Sequence, residues 1–177
     1  MTKKCAGCGK EFTPREPHHT CCWDCYKNQP PAAGGNVHPE QRSDINLDEY
    51  WKSSSYANAN GYLREEFVTT WAYQIAYELG NGKMTKHQLR RYYNHAKYLQ
   101  RRLAVTQNSN YDSIAAELKE LKPFAHNAAN SSTNKVPKLF VNFIDLNLDN
   151  VHDRKSFDYF MIHFQAVVGY AAEFMRE

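Results

Sequence analysis

Apolar positions recur with helical spacing through the last two thirds of the chain. Leu63, Phe67, Trp71, Ile75 and Leu79 fall every four residues and mark one apolar face from Gly61 onward. The Gly80-Asn81-Gly82 cluster predicts the stop of that helix. Thr85-Lys86-His87-Gln88 has the form of a capping box, with Thr85 as N-cap and Gln88 three residues on. The helix it opens turns Leu89, Tyr92, Ala96, Leu99 and Leu103 inward. After a polar loop at 106–110, a third helix carries Ile114, Leu118 and Leu121 to Pro123, and helical character resumes over 124–129. Pro137 suits the first turn of a fourth helix with Leu139, Phe140, Phe143 and Ile144 inside. Asp153 is placed to cap a last helix that buries Phe157, Phe160, Met161, Phe164, Val167, Val168 and Phe174. Residues 61–177 are therefore predicted to form an all-α, compact bundle of about five helices joined by short loops.

The N-terminal third lacks this periodicity. Residues 1–27 hold all five cysteines, and residues 28–60 are rich in Pro, Gly, Ser and Asn with few aliphatics. The latter segment is expected to be a flexible linker, with Tyr50 and Trp51 a loosely held aromatic pair. Composition agrees with helices: Val and Ile together number 13 against 17 Ala. The length of 177 residues suits one domain plus a small appendage. Mean hydropathy is −0.75, no stretch approaches a membrane span, and the N-terminus lacks the apolar core of a secretory leader. A cytoplasmic protein with no membrane partner is expected.

The cysteines are spaced Cys5-x2-Cys8-x13-Cys22-x2-Cys25. Two Cys-x-x-Cys pairs converge tetrahedrally on one Zn²⁺, and four thiolates leave no open position, so the expected cofactor is structural zinc. Cys5-Ala6-Gly7-Cys8-Gly9-Lys10 reads as the knuckle turn, its glycines permitting positive φ. Cys21, His18 and His19 remain alternative ligands, and a reduced metal-free thiol cluster or redox pair is the alternative to a metal site. With no further cysteine after residue 25, a disulfide framework for the whole fold is excluded. A zinc ribbon with near-zero net charge favours a protein contact but specifies no function.

Charge changes the picture in the middle of the chain. The net charge is only +3. Yet residues 61–110 carry eight basic and three acidic side chains, against seven and seven before and seven and nine after. Lys83, Lys86, Arg90, Arg91, Lys97, Arg101 and Arg102 follow one another with no acidic residue between them. On the helical wheel Lys86, Arg90, Lys97 and Arg101 form a stripe nearly opposite the apolar one, with Arg91, Tyr98 and Arg102 between. Lys86/Arg90 and Lys97/Arg101 are like-charged i,i+4 pairs, each slightly destabilising. Such a face suits a polyanion, whose phosphates would release counterions, with Tyr98 and Asn94 facing sugars. The alternative is an ordinary solvated basic face.

Other polar residues read as structural. His87 and His95 lack the i,i+4 spacing of a zinc protease, and His163 sits among Phe160, Met161 and Phe164 as a core histidine. Asp145, Asp149 and Asp153, four apart, resemble a chelate but fit loop and cap roles better. No phosphate loop, dinucleotide glycine motif or nucleophile elbow occurs, and no constellation supports an enzyme.

Three anchors in order carry a family resemblance over residues 61–177. Lys83-Met84-Thr85-Lys86-His87-Gln88-Leu89-Arg90-Arg91-Tyr92-Tyr93, then Leu118-Lys119-Glu120-Leu121-Lys122-Pro123, then the Phe157, Phe160, Phe164-Gln165-Ala166-Val167-Val168-Gly169-Tyr170 stretch resemble helices of the small Csm-type subunit of type III-A CRISPR effector complexes. The resemblance implies a small, non-catalytic helical protein in antiviral defence. Its copies would line the crRNA–target RNA duplex beside the repeated backbone subunits and the large subunit. Carried over, Lys83, Lys86, Arg90 and Arg91 are the matching RNA-facing positions, with Lys97, Arg101 and Arg102 added along the same helix. Sequence would be read by base pairing, while the protein supplies charge and shape. The zinc ribbon and linker lie outside the part the resemblance covers. The loop at 130–135 lacks an arginine expected after Ala128-Ala129, leaving Lys135 and Lys138 as cations there. The principal alternative is a zinc-ribbon DNA-binding regulator with a helical dimerisation domain. A zinc-stabilised protein adaptor and a metal-dependent nuclease stand behind it.

Overall fold

The computed structural model describes residues 2–5, 8–13, 45–105, 110–133 and 135–177. The chain divides into two units, Met1–Pro39 and Glu40–Glu177. In the first, β1 (Lys3–Lys4) pairs antiparallel with β2 (Glu11–Phe12), Lys3 opposite Phe12 and Lys4 opposite Glu11.

The second unit is helical. A one-turn helix α1 (Asp48–Trp51) is followed by a hairpin-like loop, a 3₁₀ turn at Glu65–Phe67, and six longer helices. These are α2 (Thr70–Asn81), α3 (Lys86–Val105), α4 (Asp112–Lys119), α5 (Leu121–Ala129), α6 (Lys138–Asp149) and α7 (Arg154–Phe174). Helix α7 is the organiser: α2 packs along it, α3 lies against it, and α5 packs on α6. The core is strongly aromatic, with Phe67, Phe140, Phe143, Phe157, Phe160 and Phe164 all buried. Their rings meet in mixed geometries: Phe143 stands edge to face with Phe164 at 5.3 Å between centroids, whereas Phe140 stacks on Phe143 at 6.0 Å.

The bundle has one helix more than the predicted five because Pro123 splits the third. Proline lacks an N–H and its ring crowds the carbonyl four residues back, at Lys119. Helix α4 accordingly ends at Lys119 and α5 starts at Leu121. The first helix also starts later than its spacing suggests. Leu63 instead sits in a bridge with Ala57, and Phe67 in the 3₁₀ turn. Both face inward, but only Trp71, Ile75 and Leu79 of the periodic set are helical.

The stop of α2 differs in kind from the glycine stop predicted. Gly80 and Asn81 are inside the helix, and the left-handed residue is Lys83, φ 64°. Lys83 N–H donates to the Gly80 carbonyl (2.9 Å) and Met84 N–H to that of Leu79 (3.0 Å), the paired bonds of a Schellman stop. Gly80 serves close packing instead: a Cβ there would stand 2.7 Å from the Phe174 carbonyl oxygen. Both predicted N-terminal caps form. Thr85 and Gln88 exchange hydrogen bonds of 2.9 and 3.2 Å, and Asp153 caps α7 through Ser156 N–H at 2.7 Å. Pro137 is the N-cap of α6 rather than a residue of its first turn.

The expectation of a flexible linker over 28–60 is corrected for its described part. Residues 28–44 lie outside the described residues, whereas Tyr50 and Tyr56 are wholly buried in the bundle core. Their hydroxyls enter a buried network that fixes its own proton directions. The Phe67 carbonyl can only accept, so His163 Nδ1 carries a proton and donates to it. His163 Nε2 then accepts from Tyr50 (3.2 Å). Asn147 Nδ2 donates to the Tyr50 oxygen and to the Phe143 carbonyl (both 2.7 Å), and Tyr56 donates to Asn147 Oδ1 (2.7 Å). A polar, Asn- and Ser-rich segment is thus pinned because its two tyrosines find partners nearly a hundred residues away. His163 is a satisfied core histidine, as its neighbours in sequence predicted.

Burial holds the His163 pKa down to about 4, from an ordinary value of 6.5. A depressed histidine is neutral in the folded state while the unfolded chain binds a proton, so stability falls as pH drops through this window. Unfolding measured in urea at pH 7 and at pH 4.5 is expected to show a loss of about 2 kcal/mol from this group. Asp153, held low by the Ser156 N–H, adds a loss of the same sign further down. A His163→Gln variant should show a smaller pH dependence between pH 6.5 and 4.5; an unchanged one contradicts the assignment.

Candidate nucleic-acid interface

Helix α3 is long because it has a formed N-terminal cap and no helix breaker within it. It opens at the Thr85 capping box, contains neither Gly nor Pro, and spans 20 residues, or about 30 Å. Its apolar stripe is buried as predicted: Leu89, Tyr92, Ala96, Leu99 and Leu103. The opposite side presents His87, Arg90, Asn94, Tyr98 and Arg101, all exposed. Tyr98 is 56% accessible, with the Arg102 guanidinium 5.7 Å from its ring centre. No acidic residue occurs between Glu78 and Asp112.

The seven predicted cations do not share one situation. Arg90, Arg91 and Arg101 are exposed on α3, and Lys83 is exposed in the turn before it. Among the described residues none of these four has a carboxylate within ion-pair distance. Lys86 is half-buried, its ammonium 3.2 Å from Glu177 and its N–H bonded to the Arg176 carbonyl. Lys97 is half-buried and donates to Gln100 (2.9 Å), which in turn donates to Asp158 of α7 (2.9 Å). Arg102 pairs with Glu117 of α4 at 2.5 Å. The stripe of four cations is therefore two free arginines, about three helical turns apart, alternating with two tethered lysines. Glu117, Asp158 and Glu177 belong to other elements, and no local signal in the sequence marks them as partners of α3.

The first unit holds the other predicted site. Cys5 is buried at the end of β1 and Cys8 is exposed in the turn. Gly9 takes φ 72°, Cys5 N–H donates to the Lys10 carbonyl, and Gly9 N–H to that of Cys5, each at 2.9 Å. This is the tight turn the glycine spacing predicts. Cys22 and Cys25, with the alternatives Cys21, His18 and His19, lie outside the described residues. Within the described residues no group of three or more His, Cys, Asp or Glu is gathered to hold a metal. The aspartate trio has separate tasks: Asp145 meets His126 (2.8 Å), Asp149 meets Lys122 (2.6 Å), and Asp153 caps α7. Among the described residues no helix is long and apolar enough to cross a membrane.

Comparison with known proteins gives a match to a protein family. The family model described as Csm2 Type III-A aligns with residues 64–175, from the loop before the 3₁₀ turn through the end of α7. No curated protein and no solved structure matches the chain. The matched span holds α2 to α7 and all seven basic positions of the α3 region, and it makes up more than half of the chain. The chain therefore belongs to the Csm2 type III-A family, the small subunit of type III-A CRISPR effector complexes.

Proposed function

We propose that this subunit lines the crRNA–target RNA duplex through the outer face of α3, as a non-catalytic, cytoplasmic component. The observation that carries the reading is the acid-free exposed face on which Arg90 and Arg101 stand without carboxylate partners. On an ordinary solvated helix such cations are interspersed with Glu at i,i+4; here the helix accepts like-charge repulsion that a phosphate backbone would relieve. Contacts to phosphates carry no sequence information, which suits a complex whose specificity comes from base pairing. Lys83 and Arg91 widen the field, while Lys86, Lys97 and Arg102 act from tethered positions at its edges. Repeated backbone subunits, the large subunit and further copies of this chain are the proposed protein partners. Crosslinking in the assembled complex tests the placement: RNA adducts should fall on Tyr98 and the residues beside it, and adducts confined to other helices would contradict it.

The first unit is proposed to hold one structural zinc ion. The reading is supported by the Cys5-x2-Cys8 sequence spacing, which is that of paired thiolates in tetrahedral zinc sites, and by the positive φ of Gly9 just after it. Cys22 and Cys25 would supply the remaining thiolates. The ion would hold a segment with little core of its own together. Purified under reducing, chelator-free conditions, the chain is expected to contain one equivalent of zinc. Cys5→Ser or Cys8→Ser should release it while the thermal transition of the bundle persists. Less than about half an equivalent in the parent protein contradicts a one-ion site.

A further inference from the structure

The loop between α1 and the 3₁₀ turn is more rigid than its Asn-Ala-Asn-Gly composition suggests. Asn58 Oδ1 accepts from Asn60 N–H (3.0 Å) and Tyr62 N–H (3.1 Å). Asn58 N–H donates to the Tyr62 carbonyl (2.8 Å) and Gly61 N–H to the Asn58 carbonyl (2.9 Å). Gly61 takes φ +78°, and Tyr159 of α7 donates to its carbonyl (2.9 Å). Both backbone polar groups of Tyr62 are therefore fixed, yet its ring is 70% exposed. Beside this tip stands Lys155, its ammonium 3.4 Å from the position a Cβ on Gly61 would take and 5.8 Å from the Tyr159 ring centre. Among the described residues it has no carboxylate partner. Lys155 also lines a cleft of about 210 Å³, with Ser54, Ser55, Asp153 and Ser156 in its walls.

From these placements we infer a second nucleic-acid contact: Tyr62 stacks one unpaired base of a single-stranded RNA while Lys155 holds the adjoining phosphate. The folded loop has already fixed the backbone that carries the tyrosine, so stacking a base on it orders only the side chain and not the loop. Base–aromatic stacking tolerates every base, and the neighbouring cation supplies the backbone contact. Helix α7, which carries Lys155, also packs against α3. Gln100 of α3 and Arg154 of α7 both bond Asp158 (2.9 and 3.3 Å), and Lys155 follows Arg154. The identity of the strand as RNA rests on the lining function proposed above; the chemistry of stacking does not.

The test uses the full chain with three probes of equal length: an oligouridine strand, its duplex with oligoadenosine, and an abasic ribose-phosphate strand. Tyr62→Ala should weaken oligouridine binding about tenfold and change duplex and abasic binding less than about twofold, with Tyr62→Phe retaining parental affinity. Lys155→Gln should weaken both single strands. Equal oligouridine affinity in Tyr62→Ala and the parent overturns the stacking contact, as does an equal loss on the abasic strand. Tyr62-dependent strand binding without duplex binding would sink the lining function and spare the stacking contact. Duplex binding insensitive to Tyr62, with Tyr62-independent strand binding, would do the reverse. No binding to any probe overturns both.

Discussion

Reversing both free arginines, Arg90→Glu with Arg101→Glu, is expected to weaken target-RNA engagement by the assembled complex about a hundredfold, equally for all guide sequences. The two changes alter the face by four unit charges. A unit charge about 4 Å from a phosphate contributes roughly 1 kcal/mol in a water-like dielectric, and added salt screens part of that. About 3 kcal/mol remains, which is near two decades in affinity. The fold should not suffer. Both side chains point away from the buried stripe, and each reversal converts a like-charged i,i+4 pair, with Lys86 or Lys97, into an opposite-charged one that supports the helix by a few tenths of a kcal/mol. Circular dichroism should therefore match the parent protein while RNA binding falls. An unchanged complex would reduce the α3 face to a solvated basic surface. A selective effect on some guide sequences would argue for base readout instead.

Deleting residues 1–60, the boundary that composition alone suggests, should abolish cooperative unfolding, whereas deleting residues 1–39 should leave the bundle's midpoint within a few degrees. The longer deletion removes Tyr50 and Tyr56, both wholly buried. Each such ring leaves a cavity costing about 3–5 kcal/mol. It also strips partners from the Asn147 amide and from His163 Nε2, and each stranded buried group costs a further 1–3 kcal/mol. The total rivals the entire stability of an ordinary domain. The shorter deletion stops at the boundary of the second unit and touches none of these groups. Thermal denaturation of the two truncated proteins, followed by circular dichroism, distinguishes them; a sharp transition in the 61–177 fragment would show that the tyrosine network is dispensable.

These expectations show what the sequence made legible and what it concealed. Helix α3 was readable because two independent signals agree, a capping box and a buried stripe at period 3.6. The α7 cap at Asp153 and the turn at Cys5–Gly9 were readable for the same reason: each is decided by residues within a few positions of one another. The segment 45–60 was misread because its Ser and Asn content describes the backbone's local freedom, while its position is decided by Asn147 and His163 far along the chain. The stop of α2 was misplaced because Gly80 is required by contact with Phe174, a distant element, rather than by its own φ. The basic face shows the same division. Its charge was plain in the sequence, but which cations remain free depends on Glu117, Asp158 and Glu177, carried by elements distant in the chain. Tyr62 escaped notice because exposure of a lone tyrosine has no periodic signature.

The central claim is that phosphates meet α3 at Arg90 and Arg101, and the salt dependence of RNA binding measures this most directly. Each lost phosphate contact lowers the slope of log K against log salt by about 0.7 to 0.9. Titrating an RNA duplex at several salt concentrations with the parent chain and with an Arg90→Gln, Arg101→Gln variant should show the slope falling by about 1.5. Identical slopes for the two proteins would contradict the account.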